Sequence, residues 1–276
     1  MDLVYHEIKP TNDIQGVNGF SEYNTIDFNL IGNGRKLLRG SIMIAAELIV
    51  NTNGVSGSTG ARTNKTHNIV LDNKIGAHAV FSSFQCEIVN GPKAQVLENL
   101  QEYPRYCSLL DVVKKKELDN CDVVSSAELR GMFEANGSVN LEQQFSNSAN
   151  ANCVPDQNPS FCISPKICFN QKSLGDDYSF EKSGNIKISC NLARTVNALY
   201  GQDMTTAVNY SLHNVRMLFT SIPDDGQQGK MMMSSYAMVK STMVSSQINV
   251  QAQVPSRAVK SVSIVFLRQK QESSLT

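Results

Sequence analysis

Histidine and cysteine are the side chains best suited to metal or acid–base chemistry, and this 276-residue chain holds four histidines and seven cysteines. The histidines, His6, His67, His78 and His213, stand far apart, and no H-x-x-x-H spacing places two of them on one helix face to share zinc. His78 lies just ahead of an apolar segment and reads as a packed or loop histidine, since a catalytic role needs a nucleophile or carboxylate beside it. Cys86, Cys107, Cys121, Cys153, Cys162, Cys168 and Cys190 form an odd set in a chain too long for a small disulfide framework. Cys153, Cys162 and Cys168 are separated by nine and six residues, wider than the short pairs that preorganise a zinc knuckle. Free thiols are favoured there over a metal site or a local disulfide.

Other candidates dissolve in the same way. Gly54, Gly57 and Gly60 lack the lysine and the strand-to-helix context of a phosphate cradle, so they read as a flexible loop. Lys114-Lys115-Lys116 has no aromatic interleaving and reads as a solvated helix face. Asp176-Asp177 and Asp224-Asp225 lack further oxygen ligands at calcium-loop spacing, which leaves them as turn caps. Met231, Met232 and Met233 serve either the core or an adaptable subunit interface, because methionine fills irregular gaps and conforms to partners. No nucleophile elbow, metal motif or cofactor fingerprint appears, so neither an enzyme nor a bound cofactor is expected.

The totals agree with an assembling protein. There are 25 basic and 25 acidic residues, a formal charge of zero, which argues against a general nucleic-acid binder. Little self-repulsion then keeps copies apart. The first residues lack the basic start and apolar run of a secretion signal, and no segment is apolar for long enough to span a bilayer. The expectation is a soluble protein made in a reducing compartment.

The elements are mostly strands. Thr25–Leu30 alternates Ile26, Phe28 and Leu30 with polar residues, the period of a half-buried strand. Ile31-Gly32-Asn33-Gly34 signals a turn. Residues 37–50, 68–71, 80–89, 185–188, 210–222, 237–254 and 259–267 read as further strands, and 51–68 as a polar loop. Asn90-Gly91-Pro92 and Pro255-Ser256-Arg257 read as turns. Residues 93–100 and 106–118 carry apolar side chains at helical spacing, with Pro104 near the start of the second helix, and 125–133 is another helical candidate. Residues 136–175 have little periodicity. Strands at both ends around a helical and irregular middle predict an all-β fold, a jelly-roll β-sandwich over 1–104 and 185–276 with an insertion at 105–184. Phe81, Phe84, Val250, Ile264 and Phe266 are the expected core between its sheets.

Several patches carry a resemblance. Leu38-Arg39-Gly40-Ser41-Ile42, then His78 to Phe81 and on to Asn90-Gly91, resemble the vertical jelly-roll capsid proteins of virophages, polinton-like viruses and related DNA viruses. Tyr103-Pro104-Arg105-Tyr106 resembles the helix that follows that turn, and Tyr210 to Met217 and Val254 to Val259 resemble the final strands. The resemblance implies a structural capsid protein located in the virion and made in the host cytoplasm or nucleus. One strand set with an interruption implies the single-jelly-roll penton, a homopentamer at icosahedral vertices whose partners are itself and neighbouring major capsid proteins. A small double-jelly-roll major capsid protein and a carbohydrate-binding β-sandwich lectin are the alternatives, the second weakened by the absence of tryptophan.

Overall fold

Alternating apolar and polar side chains bury one face of a strand and solvate the other, and two such sheets close on each other. The computed structural model describes residues 2–12, 19–51, 70–72, 74–118, 160–170, 177–200, 208–226 and 236. Its strands are β1 (Val4–Ile8), β2 (Phe20–Ser21), β3 (Thr25–Leu30), β4 (Arg35–Leu37), β5 (Met43–Asn51), β6 (Val70–Leu71), β7 (Phe81–Asn90), β8 (Lys93–Leu100), β9 (Ser160–Ile163), β10 (Tyr178–Ser179), β11 (Asn185–Leu192), β12 (Leu199–Tyr200) and β13 (Asn209–Pro223). Helix α1 is Tyr103–Leu118, and single turns α2 (Phe180–Ser183) and α3 (Thr195–Ala198) follow.

The pairing is that of a jelly roll. In the first sheet β13 lies between β1 and β5, and β5 in turn pairs with β9. In the second sheet the order is β3-β11-β7-β8. The antiparallel partners are nested along the chain: β7 with β8, β5 with β9, β3 with β11 and β1 with β13. Eight strands folded back in this concentric order define the jelly roll, and Pro223 ends the last of them.

The core fills the space between the sheets. Ile26, Phe28 and Leu30 of β3 and Ile186, Ile188 and Cys190 of β11 are fully buried, as are Ile44 and Leu48 of β5. Phe81 of β7 meets Phe161 of β9 edge-on at 6.4 Å, so an aromatic pair joins the two sheets directly. Phe84 packs on Phe81 at 5.3 Å and on Tyr103 of α1 at 4.5 Å, and all three are fully buried.

Three readings of the sequence change. Residues 93–100 form a strand, not a helix. Cys86 pairs with Glu98 but Glu87 pairs with Val96, so Leu97 is an extra, unpaired residue. That bulge breaks the alternation and leaves Val96, Leu97 and Leu100 at a spacing that imitates a helix. Ser160–Ile163, inside the stretch read as an insertion, is a strand of the first sheet against β5, at its edge among the described residues, and Tyr178–Ser179 pairs with β4. Sheet structure therefore resumes at Ser160, before the expected boundary at 185. The long strand at 37–50 is broken between β4 and β5 at Gly40, which takes φ 74°. The reading of 237–254 and 259–267 as strands is a separate matter, since the eight nested strands end at Pro223. Those segments lie outside the described residues, as do 125–133, Met231, Met232, Met233, Val250, Ile264 and Phe266.

Candidate functional site

The least ordinary chemistry lies inside the sandwich, between β7, β8 and the turn after β9. The bulge at Leu97 turns Glu98 inward opposite Cys86. A 3-10 turn after β9, Cys168–Asn170, brings Cys168 to the same place. The Sγ atoms of Cys86 and Cys168 and a carboxylate oxygen of Glu98 all lie within 4.8 Å of one another, and all three residues are buried. Backbone N–H groups of Cys168 and Tyr236 donate to the two Glu98 oxygens, at 2.7 and 3.3 Å. Burial pushes the Glu98 carboxyl up to about 7, against which these two hydrogen bonds pull downward. The hydrogen bond to Cys168, with burial, holds the Cys86 thiol well above its ordinary range. Tyr106 and Tyr236 cover the cluster with rings 4.7 Å apart.

Beside it, His78 is fully buried, with Nδ1 2.8 Å from the Tyr103 hydroxyl. That hydroxyl also accepts the N–H of Lys166 at 2.9 Å, which ties α1 to the segment after β9. His78 is thus a packed histidine that anchors two connections.

Two further histidines meet serines on β13. His6 Nε2 lies 2.7 Å from Ser221 Oγ, and Ser211 Oγ lies 3.0 Å from His213 Nε2. Ser221 is fully buried and its Oγ also accepts from Arg35 Nε at 2.8 Å, so no substrate reaches it. His6 stacks on Phe219 at 4.5 Å, and burial and then Arg35 hold its pKa below the usual value. These contacts fasten β1 onto β13. The Asp224-Asp225 pair caps and clamps: Asp224 accepts the Gly226 N–H at 3.0 Å and the Ser179 hydroxyl, and both aspartates face Lys36 Nζ. The Ser179 hydrogen bond leads in holding the Asp224 carboxyl low, and the bond to Asp225 leads in raising Lys36.

The outer face of the second sheet is a shallow polar hollow whose groups satisfy one another. Asp27 accepts from Ser189 Oγ at 2.5 Å and pairs with Lys187 at 3.5 Å. Thr25 donates to Asn191 at 2.6 Å, and Asn191 donates to Ser83 at 2.8 Å. Exposed apolar side chains are scattered: Tyr5 of β1 is 79% exposed with Leu3 beside it, Tyr23 after β2 stands near the other end of β13, and Ile31, Met43 and Val96 are exposed elsewhere.

Of the expected core residues, Phe81 and Phe84 are fully buried between the sheets. Cys162 and Cys168, which the spacing left as free thiols, part company: Cys162 is half-buried near Met43, while Cys168 joins Cys86 and Glu98. Sequence reasoning missed that cluster because its members come from three elements with no local motif. Among the described residues no helix is long and apolar enough to cross a membrane.

No protein-family model and no curated protein matches the chain. Among solved structures, it is similar to PBCV-1 VP54, fitted into a reconstruction of the virophage Sputnik, at 12% identity and a TM-score of 0.39 over 82% of this chain and 43% of that one. It is similar to a chain of the Sputnik virophage at 9% identity and a TM-score of 0.47, over 82% of this chain and 49% of that one. The mavirus major capsid protein matches at 10% identity and a TM-score of 0.33, over 79% of this chain and 46% of its own. The chain thus spans just under half of each of these proteins, and the jelly-roll fold stands on the strand pairing itself.

Proposed function

We propose that this chain is a structural capsid protein, the penton that forms homopentamers at icosahedral vertices and contacts neighbouring major capsid proteins in the virion. The supporting observation is one roll of eight paired strands in which β1, at a margin of the first sheet among the described residues, exposes Tyr5 with Leu3 beside it. A ring is built from a heterologous contact repeated until it closes, and an apolar margin on an edge strand suits such a contact. Among the described residues, the polar groups on the outer face of the second sheet, Asp27, Ser189, Lys187, Thr25, Asn191 and Ser83, bond to one another, which fits assembly better than turnover. Met231, Met232 and Met233 remain interface candidates beside the Asp224-Asp225-Gly226 turn.

The test is the subunit count of the purified full chain by analytical ultracentrifugation. Five subunits, reduced to fewer in Tyr5→Ser/Tyr23→Ser or in the triple Met→Ser variant, support the penton. A stable monomer that never associates with virions removes it.

A second reading, a small double-jelly-roll major capsid protein, draws on the alternation at 237–254 and 259–267, which is additional to eight strands already paired. A count of three favours it. A monomer that binds glycans specifically on an array favours the lectin.

A further inference from the structure

We propose that Cys86, Glu98 and Cys168 form a binding site for a divalent transition-metal ion, zinc foremost, buried between β7, β8 and the turn after β9. Three observations carry it. The donor set is two sulfurs and a carboxylate oxygen within 4.8 Å of one another. Zinc prefers such a set, and two Zn–S bonds of about 2.3 Å at a tetrahedral angle place the sulfurs about 3.8 Å apart, a short contraction from that limit. The second observation is charge. Glu98 is 3% exposed, and among the described residues no lysine or arginine pairs with it; its partners are two backbone N–H groups and Cys168. A carboxylate buried without a counter-cation costs free energy that a bound cation recovers.

The third observation is how the carboxylate is held. Each Glu98 oxygen accepts one backbone N–H, and the Cys168 thiol that also bonds the carboxylate would give up its proton on binding, so the Cys168 and Tyr236 amides orient the carboxylate without filling it. Binding is a ligand exchange: the ion sheds waters, the two thiols release their protons to solvent, and Glu98 releases its own when protonated. The ion would join Glu98 to Cys168, 70 residues further along the chain, and so close the end of the sandwich beyond β9. The site is independent of how copies assemble.

The full chain, purified under reducing conditions and supplied with zinc, should retain about one ion per chain after desalting. Replacing zinc with cobalt should give the thiolate-to-cobalt absorption of a tetrahedral site. Cys86→Ser, Cys168→Ser and Glu98→Gln should each lower metal affinity by about tenfold or more, while Cys162→Ser leaves it unchanged. Should a variant fail to fold, the wild type still decides: a chelator should remove the ion and lower its melting temperature, and zinc should restore both. Three results overturn the site. These are a folded wild type that retains no metal, metal retained equally by folded Cys86→Ser and Cys168→Ser, and a Cys86–Cys168 disulfide found by mass spectrometry in freshly isolated protein.

Discussion

Tyr210, on β13 of the first sheet, donates its hydroxyl to the carbonyl of Ala193, just beyond β11 of the second, at 2.6 Å. The same oxygen lies 3.2 Å from the carbonyl of Val80, where the chain enters β7. One buried phenol therefore pins both sheets, and burial holds it protonated far above the usual tyrosine range. Tyr210→Phe keeps the ring and removes the donor. It should cost about 1–3 kcal/mol, because the Ala193 carbonyl loses a buried partner. Urea unfolding that gives an unchanged midpoint would show the bond to be dispensable.

Phe84 stands between Phe81 and Tyr103, fully buried. Phe84→Ala should lower stability by about 3–5 kcal/mol, through lost burial and the cavity left behind. A thermal midpoint within a degree or so of wild type would mean that the aromatic cluster does not hold β7 and α1 together.

Gly32 has no room for a side chain. A Cβ there would lie 1.8 Å from the Phe180 ring. Gly32→Ala should cost about 1–3 kcal/mol by forcing the ring aside. Adding Phe180→Leu should return part of that loss, although Phe180→Leu alone destabilises. Additive losses in the double variant would place the strain somewhere other than this contact.

Glu98 sets a pH dependence. Its carboxyl is raised from 4.5 to about 7, with Cys86, Cys168, Tyr106 and Tyr236 as the titratable groups around it. The folded state then binds a proton more tightly than the unfolded chain. Stability is therefore full below pH 4.5, falls as the pH climbs to about 7, and stays at the lower level above it. For metal-free protein the loss should be on the order of 3 kcal/mol, and Glu98→Gln, neutral throughout, should lack it. Urea midpoints at the two ends of this range, compared between wild type and variant, measure the difference. Parallel curves would contradict the buried carboxylate.

Much of the roll is legible in the sequence because its strands keep period two. Thr25–Leu30, Asn185–Leu192 and Asn209–Pro223 alternate visibly, and each is a central or long strand with one face in the core. β8 was hidden by one extra residue, Leu97, whose bulge shifts the apolar positions to a helix-like spacing. β9 was hidden by its length, since four residues at a sheet edge carry too little pattern to be noticed. The Glu98 cluster was not legible at all. Its geometry comes from a bulge, a cross-strand register and a distant turn, none of which leaves a spacing signature.

The nested strand pairing also sets the order in which the molecule can be made. β7 and β8 meet across a tight turn at Gly91, whose φ of 58° suits a two-residue hairpin, so this pair closes as soon as both strands exist. Every outer pair waits for a later partner. His6 is made 215 residues before its partner Ser221. Until then β1 has no neighbour in its sheet and its apolar residues are open to other nascent chains. Such non-local closure makes folding slow and exposes intermediates to aggregation. The yield of native protein is thus governed by how long the earliest strand is kept from the wrong partner before the last one arrives.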